Sequence, residues 1–162
     1  MSGQLLYPSG DLFAIDATPY TVGEPGEEAS GRLLIEVSIG GLRTIAAVDT
    51  GGLYFVCHPA LADDLKPYLS DPISFTDHDR KTKLGIRGDE IQGDLFFLTV
   101  ELLGLDGINL PVEVLVFIPD LKPGQTWGLP SIIGWEGFLD RIRFAVDPDR
   151  SLFYFGPLGQ IN

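Results

Sequence analysis

Val48-Asp49-Thr50-Gly51-Gly52 is the stretch of this chain whose residue types and spacing could do chemistry. A carboxylate is followed at once by a hydroxyl and two glycines. Asp49 could pass a proton as a general acid or base, and Thr50 could hydrogen-bond across a close contact. Gly51 and Gly52 would let another backbone or a substrate approach. A plain turn is the other reading, since Asp, Thr and Gly are ordinary turn residues. At average composition, Asp-Thr-Gly arises by chance in roughly 3% of chains of this length, so the flanks must decide.

The elements that would position this motif can be read on either side of it. Leu33–Ile39 and Arg43–Val48 form two short apolar runs joined by Gly40-Gly41, the pattern of a hairpin. Leu53–Cys57 reads as a further strand, so the carboxylate would sit where a sheet holds it fast. Pro59–Leu65 reads as a short amphipathic helix ending near Pro67, with Leu61 and Leu65 four apart. In Lys83–Asp94, Gly85 and Gly88 bracket a turn before a long strand at Leu95–Leu103. Such a hairpin is either an ordinary one or a lid hinged on the sheet. Val112–Ile118 reads as a buried strand bounded by prolines, and the loop after it holds Trp127, either packed inward or exposed as a binding anchor. Ile132-Ile133-Gly134 reads as a short buried strand and Trp135–Ile142 as one or two helical turns. Phe144–Val146 and Leu152–Phe155, with Pro148-Asp149 in the turn between them, would close the sheet. Upstream, Asp11–Ile15 could be a strand, and Pro19–Gly31 reads as a flexible acidic connector.

Composition narrows the classes. With 162 residues, 44% of them hydrophobic, and a mean hydropathy of +0.17, the chain can bury one core, and a single domain is expected. Its 20 glycines and 12 prolines punctuate short apolar runs and favour a β-rich fold over a helical bundle. With 11 basic against 23 acidic residues, the net charge of −12 would repel nucleic acid. The densest basic stretch, Arg80-Lys81-Thr82-Lys83, follows Asp77-His78-Asp79 and reads as a solvated loop. Cys57 is the only cysteine, so no internal disulfide can form. On a strand, Cys57 and His58 would point to opposite faces, which argues against a thiol–imidazole pair. His58, His78, Asp77 and Asp79 have neither zinc-site nor calcium-loop spacing, and no metal or other cofactor is expected. Neither Gly-x-Ser-x-Gly nor Gly-x-Gly-x-x-Gly is present. Met1–Tyr20 lacks a basic start followed by an apolar core, and no apolar run approaches membrane-spanning length. A soluble cytoplasmic protein without membrane contact is the expectation.

Three segments together resemble one family. Leu33–Gly41 followed by Ala46-Ala47-Val48-Asp49-Thr50-Gly51 resembles the start of the retropepsin-like aspartic proteases. Ser131-Ile132-Ile133-Gly134-Trp135-Glu136-Gly137-Phe138-Leu139 is similar to their second signature, and Phe144–Asp147 with Leu152–Gly156 is similar to their last hairpin. The resemblance implies an all-β fold with one or two short helices, a closed barrel-like domain at residues 33–158. Residues 1–32 would be an N-terminal strand and linker; in this family terminal strands often interleave between subunits, and whether Leu12–Ile15 does so is open. It implies catalysis by Asp49, Thr50 and Gly51. It implies a flap over the peptide, with Gly52, Gly85, Ile86, Arg87, Gly88 and Asp89 contacting substrate. Ile132, Ile133 and Gly134 would support the active-site loop. The fourth motif residue is usually Ala or Ser in the family and is Gly52 here.

The family reaction needs two carboxylates sharing one proton around a water. Asp-Thr-Gly occurs once, and Asp89, Asp140 and Asp147 lack the preceding apolar strand and the following Thr-Gly. The second carboxylate would come from a homodimer that places two copies of Asp49 on its twofold axis. The substrate would be an extended peptide with hydrophobic residues flanking the cut bond. A non-catalytic module of the same fold, used for dimerisation or peptide binding, is the rival expectation. An unrelated acidic β-domain is the third.

Overall fold

The computed structural model describes residues 3–73 and 82–159. Asp77-His78-Asp79 and Arg80-Lys81 lie outside the described residues. The fold is mostly β, with thirteen strands, one short helix and three single turns of 3-10 helix among the described residues. In order, the strands are β1 Leu5–Leu6, β2 Leu12–Ala14, β3 Asp16–Pro19, β4 Thr21–Val22, β5 Leu33–Ile39, β6 Leu42–Val48 and β7 Phe55–Val56. The helix α1, Ala62–Leu65, follows. Then come β8 Thr82–Ile86, β9 Asp89–Leu102, β10 Leu110–Asp120, β11 Ser131–Ile133, β12 Ile142–Asp147 and β13 Leu152–Pro157.

Hairpin β5–β6 forms because its residues alternate between core and solvent. Ile35, Val37 and Ile39 are buried while Glu36 and Arg43 pair on the outer face. Gly40 and Gly41, both at positive φ, make the turn without the steric cost a Cβ would bring there. An eight-stranded sheet runs in the order β4-β5-β6-β11-β7-β10-β9-β8. Val37–Ile39 of β5 also pair with Val100–Leu102 of β9, a contact between the second and the last-but-one strands of that order. The strand β11 inserts between β6 and β7, parallel to the first and antiparallel to the second. That insertion brings residues 131–133 directly beneath the loop joining β6 to β7. A second sheet, β12-β13-β3, packs its Phe153 and Phe155 into the core beside Ile35, Val37, Val100 and Val114.

Several elements differ from the sequence reading. Only Phe55 and Val56 of the run Leu53–Cys57 form a strand, because Tyr54 has φ +60 and turns the chain. The hairpin turn lies at Arg87-Gly88, and Gly85 sits inside β8 opposite Glu90. Strand β9 then continues for 14 residues out of the hairpin and into the sheet, starting at Asp89 rather than at Leu95. Strand β10 runs through Pro111 and Pro119 rather than stopping short of them. Trp135–Ile142, by contrast, holds one helical turn as expected, a 3-10 turn at Leu139–Arg141. Within residues 11–31, strands occur at β2, β3 and β4, where one strand and a connector were expected. Strand β3 pairs with β13, and β4 pairs with Leu33-Leu34.

The buried Asp16 explains why β3 belongs to the body of the fold. Its carboxylate accepts hydrogen bonds from the backbone N–H groups of Ala17, Asp106 and Ile108. The carboxylate thereby ties the β9–β10 turn to the N-terminal segment. A buried carboxylate is tolerated because donors meet it on several sides.

Candidate active site

Asp49 lies at the end of β6, and its geometry follows from strand pairing. Val48 is paired with Leu33 on one side and Ile133 on the other. The Asp49 N–H donates to the Ile133 carbonyl at 2.9 Å. Its own carbonyl accepts from the Gly52 N–H at 3.0 Å, and its Oδ1 accepts from the Gly51 N–H at 3.1 Å. The loop is bound from below by three further backbone bonds. Trp135 donates to the Gly52 carbonyl, Gly134 to the Tyr54 carbonyl, and Tyr54 to the Glu136 carbonyl, at 2.8, 2.7 and 2.8 Å. This lattice fixes the position of the carboxylate at the end of β6.

The close approach depends on Gly134. A Cβ there would stand 2.5 Å from the Tyr54 carbonyl oxygen and 2.6 Å from the Leu53 carbonyl carbon, both of them backbone. Ile133 and Gly134 are buried under the loop, whereas Thr50 and Gly51 are exposed at its crest. Trp135, beside the crest, is 47% exposed and packs edge-on against Phe144. The Tyr54 phenol has its pKa raised, by burial first and by the Glu136 carboxylate second.

A cleft of about 370 Å³ opens above Asp49. Its floor and walls include Gly51, Gly52, Leu53, Val56, Leu129 and Ile132, and residues 83–87 of the β8–β9 hairpin overhang it. At the hairpin tip, Arg87 and Gly88 have φ +50 and +84, the signature of a tight two-residue turn with both central residues left-handed. Arg87 is a costly residue there, by about 1 kcal/mol or more relative to glycine. The structure thus brings Asp49, Gly51, Gly52, Gly85, Ile86, Arg87 and Ile132 around one cleft. Gly88 and Asp89 lie at the exposed tip but do not line it, and Thr50 faces solvent beside it.

Arg32 is a site residue that sequence reading missed. Its Nη1 lies 3.1 Å from Asp49 Oδ2, with the two side chains 33% and 29% exposed. The signal was available: Leu33 pairs with Val48 in an antiparallel hairpin, so Arg32 and Asp49 are the next cross-strand neighbours.

Other candidates are engaged elsewhere. Asp140 Oδ1 accepts from the Gly137 N–H, and Asp147 Oδ1 accepts from Asp149 and Arg150 in the final turn. Among the described residues, Asp49 is the one carboxylate lining the cleft. His58 Nδ1 accepts from the Ala60 N–H, while the Cys57 thiol is buried and reaches only the His58 carbonyl. Burial pushes the Cys57 thiol up to about 12. Trp127 is half-buried against the cluster around Leu95, Phe117 and Leu129.

No protein-family model matches the chain, and no curated protein does. Among solved structures it is similar to the crystal structure of the retroviral protease-like domain of Ddi1 from Leishmania major. The likeness has 18% identity and a TM-score of 0.46, over 78% of this chain and 94% of that one. At that level, the fold has to be argued from this chain's own pairings.

Proposed function

We propose that the protein is an aspartic endopeptidase whose catalytic pair consists of two copies of Asp49 brought together in a homodimer. The observation that carries this reading is the loop itself. Asp49 ends a core strand, is anchored from beneath by Ile133 and Gly134, and stands under a hairpin in a cleft, with Thr50 and Gly51 exposed beside it. The insertion of β11 between β6 and β7, and the pairings that return from β9 to β5, support a closed retropepsin-like barrel.

The exposed crest of Thr50 and Gly51 is the face on which a second copy would bring its own Asp49 alongside. Two carboxylates in contact cannot both be ionised, so the pair holds one proton. One carboxylate then takes a proton from the attacking water, and the other donates a hydrogen bond to the scissile carbonyl. The overhanging hairpin closes on an extended peptide and excludes bulk water. Gly52 leaves this chemistry intact: an added Cβ would lie 3.3 Å from the Asp49 carbonyl oxygen and 3.6 Å from its Cγ.

One observation favours a second reading, a peptide-binding module that does not cleave. The Arg32 guanidinium already occupies Asp49 Oδ2 at 3.1 Å, so that oxygen is engaged within one chain. Incubation with a mixed peptide library, with and without a pepstatin-type inhibitor, separates the two. The protease reading expects inhibitor-sensitive cuts that vanish in Asp49→Asn, whose amide is nearly isosteric but cannot exchange the shared proton. Intact peptides, or cuts that survive Asp49→Asn at more than a few per cent, would overturn it.

A further inference from the structure

We propose that the cleft selects peptides carrying an acidic side chain near the apolar residues it buries, and that Arg87 at the hairpin tip sets this preference. The proposal rests on the cleft being the peptide site described above. It adds a charged requirement to the apolar one expected from sequence.

The chain as a whole is acidic, with 23 carboxylates against 11 cations. The cleft reverses that balance: Arg32, Lys83 and Arg87 line it, against the single carboxylate of Asp49. Two of the three cations are already occupied. Arg32 holds Asp49, and Lys83 reaches Glu90 at 3.3 Å across the hairpin, an exposed pair of small worth. Arg87 has no ion pair among the described residues. Its guanidinium is carried by the part of the hairpin that must descend on a bound peptide.

The backbone at Arg87 is unusual as well. Arg87 occupies the first central position of a two-residue turn at φ +50, where glycine, asparagine or aspartate is the relaxed choice. A long cationic side chain held in a strained position is what a functional contact leaves behind. The apolar wall formed by Val56, Leu84, Ile86 and Leu129 accepts an aliphatic or aromatic side chain. On an extended peptide, side chains alternate along a spacing of about 3.3 Å per residue. A carboxylate a few positions from the apolar pair therefore comes within reach of the tip. A guanidinium receives it through two parallel hydrogen bonds, which a glutamine isostere cannot match.

The test uses synthetic peptides with an uncleavable hydroxyethylene isostere at the apolar pair. Glu or Gln is placed in turn at each of the four positions on either side. Binding is read by fluorescence anisotropy with the wild-type protein and with Arg87→Asn, which keeps a residue suited to the turn. At one or more positions Glu should bind about tenfold tighter than Gln. That ratio should fall towards one in Arg87→Asn. Ratios below twofold throughout, or a ratio unchanged in Arg87→Asn, would overturn the proposal. Cleavable versions of the same pairs separate it from the protease reading. Uncut peptides with a retained Glu preference would remove the hydrolysis and leave the proposal standing. Equal cutting of Glu and Gln peptides would do the reverse, and peptides neither bound nor cut would remove both.

Discussion

Two glycines at the Asp49 loop should respond very differently to the same added methyl group. At Gly134 the new Cβ would stand 2.5 Å from the Tyr54 carbonyl oxygen, whereas ordinary contact begins at 3.4 Å. Strand and loop must therefore part by about 0.9 Å, the difference between those two distances. Both are backbone, so no side chain can swing aside. Overpacking of this kind costs roughly 1–3 kcal/mol, and stretching the bond from Gly134 to Tyr54 adds about 1. Gly134→Ala should lose about 2–4 kcal/mol in urea unfolding. At Gly52 the nearest atom would be the Asp49 carbonyl oxygen at 3.3 Å, with Gly134 Cα next at 3.5 Å. A shift of a tenth of an ångström or so suffices there, and the lost freedom of the unfolded chain favours alanine by about 0.4–1 kcal/mol. Gly52→Ala should remain within about 1 kcal/mol of wild type. If Asp49 is catalytic, a displacement near 1 Å should also cost Gly134→Ala roughly a hundredfold in kcat/KM, with Gly52→Ala close to wild type. A Gly134→Ala protein as stable as wild type would refute the reasoning. So would a Gly52→Ala protein as damaged as Gly134→Ala.

Asp16→Ala should destabilise the fold by roughly 3 kcal/mol in urea unfolding, because it strands the buried N–H groups of Ala17, Asp106 and Ile108. Loss of less than about 1 kcal/mol would mean that the β9–β10 turn is held some other way. Cys57 should resist thiol reagents in the native protein at pH 8, and activity should be indifferent to them, since its ionisation is pushed up to about 12 by burial. The same shift makes stability fall at alkaline pH. The unfolded thiol releases its proton near pH 8.5 while the folded one keeps it, so stability drops by up to about 1.4 kcal/mol per pH unit between those limits. Rapid labelling without denaturant would contradict the buried placement.

What the sequence made legible was local. The β5–β6 hairpin could be read because alternation and a Gly-Gly turn are carried by adjacent residues, and the second sheet's last hairpin was visible for the same reason. Asp49 stood out through its flanks, and Ile133 and Gly134 through a second short motif. Gly88 marks the hairpin tip in the sequence, but an arginine is a poor marker of a left-handed turn, and Gly85 looks like a turn residue although it lies inside β8. Tyr54 broke an apolar run at φ +60, a conformation imposed by its bonds to Gly134 and Glu136 some eighty residues on. Asp16 was silent for a like reason, since its partners come from the turn at 106–108. Arg32 could have been found by counting back along the hairpin register. Its place at the edge of a Gly- and Glu-rich stretch that looks like a linker hides it.

The proposed hydrolysis makes one chain half of a site. One carboxylate among the described residues lines the cleft, and the reaction requires two. Specific activity should be measured against protein concentration, with sedimentation on the same samples. If two copies of Asp49 share the proton, specific activity tracks the dimer fraction and falls away on dilution below the dimer Kd. Undiminished specific activity in samples that sediment as monomers would contradict the shared site.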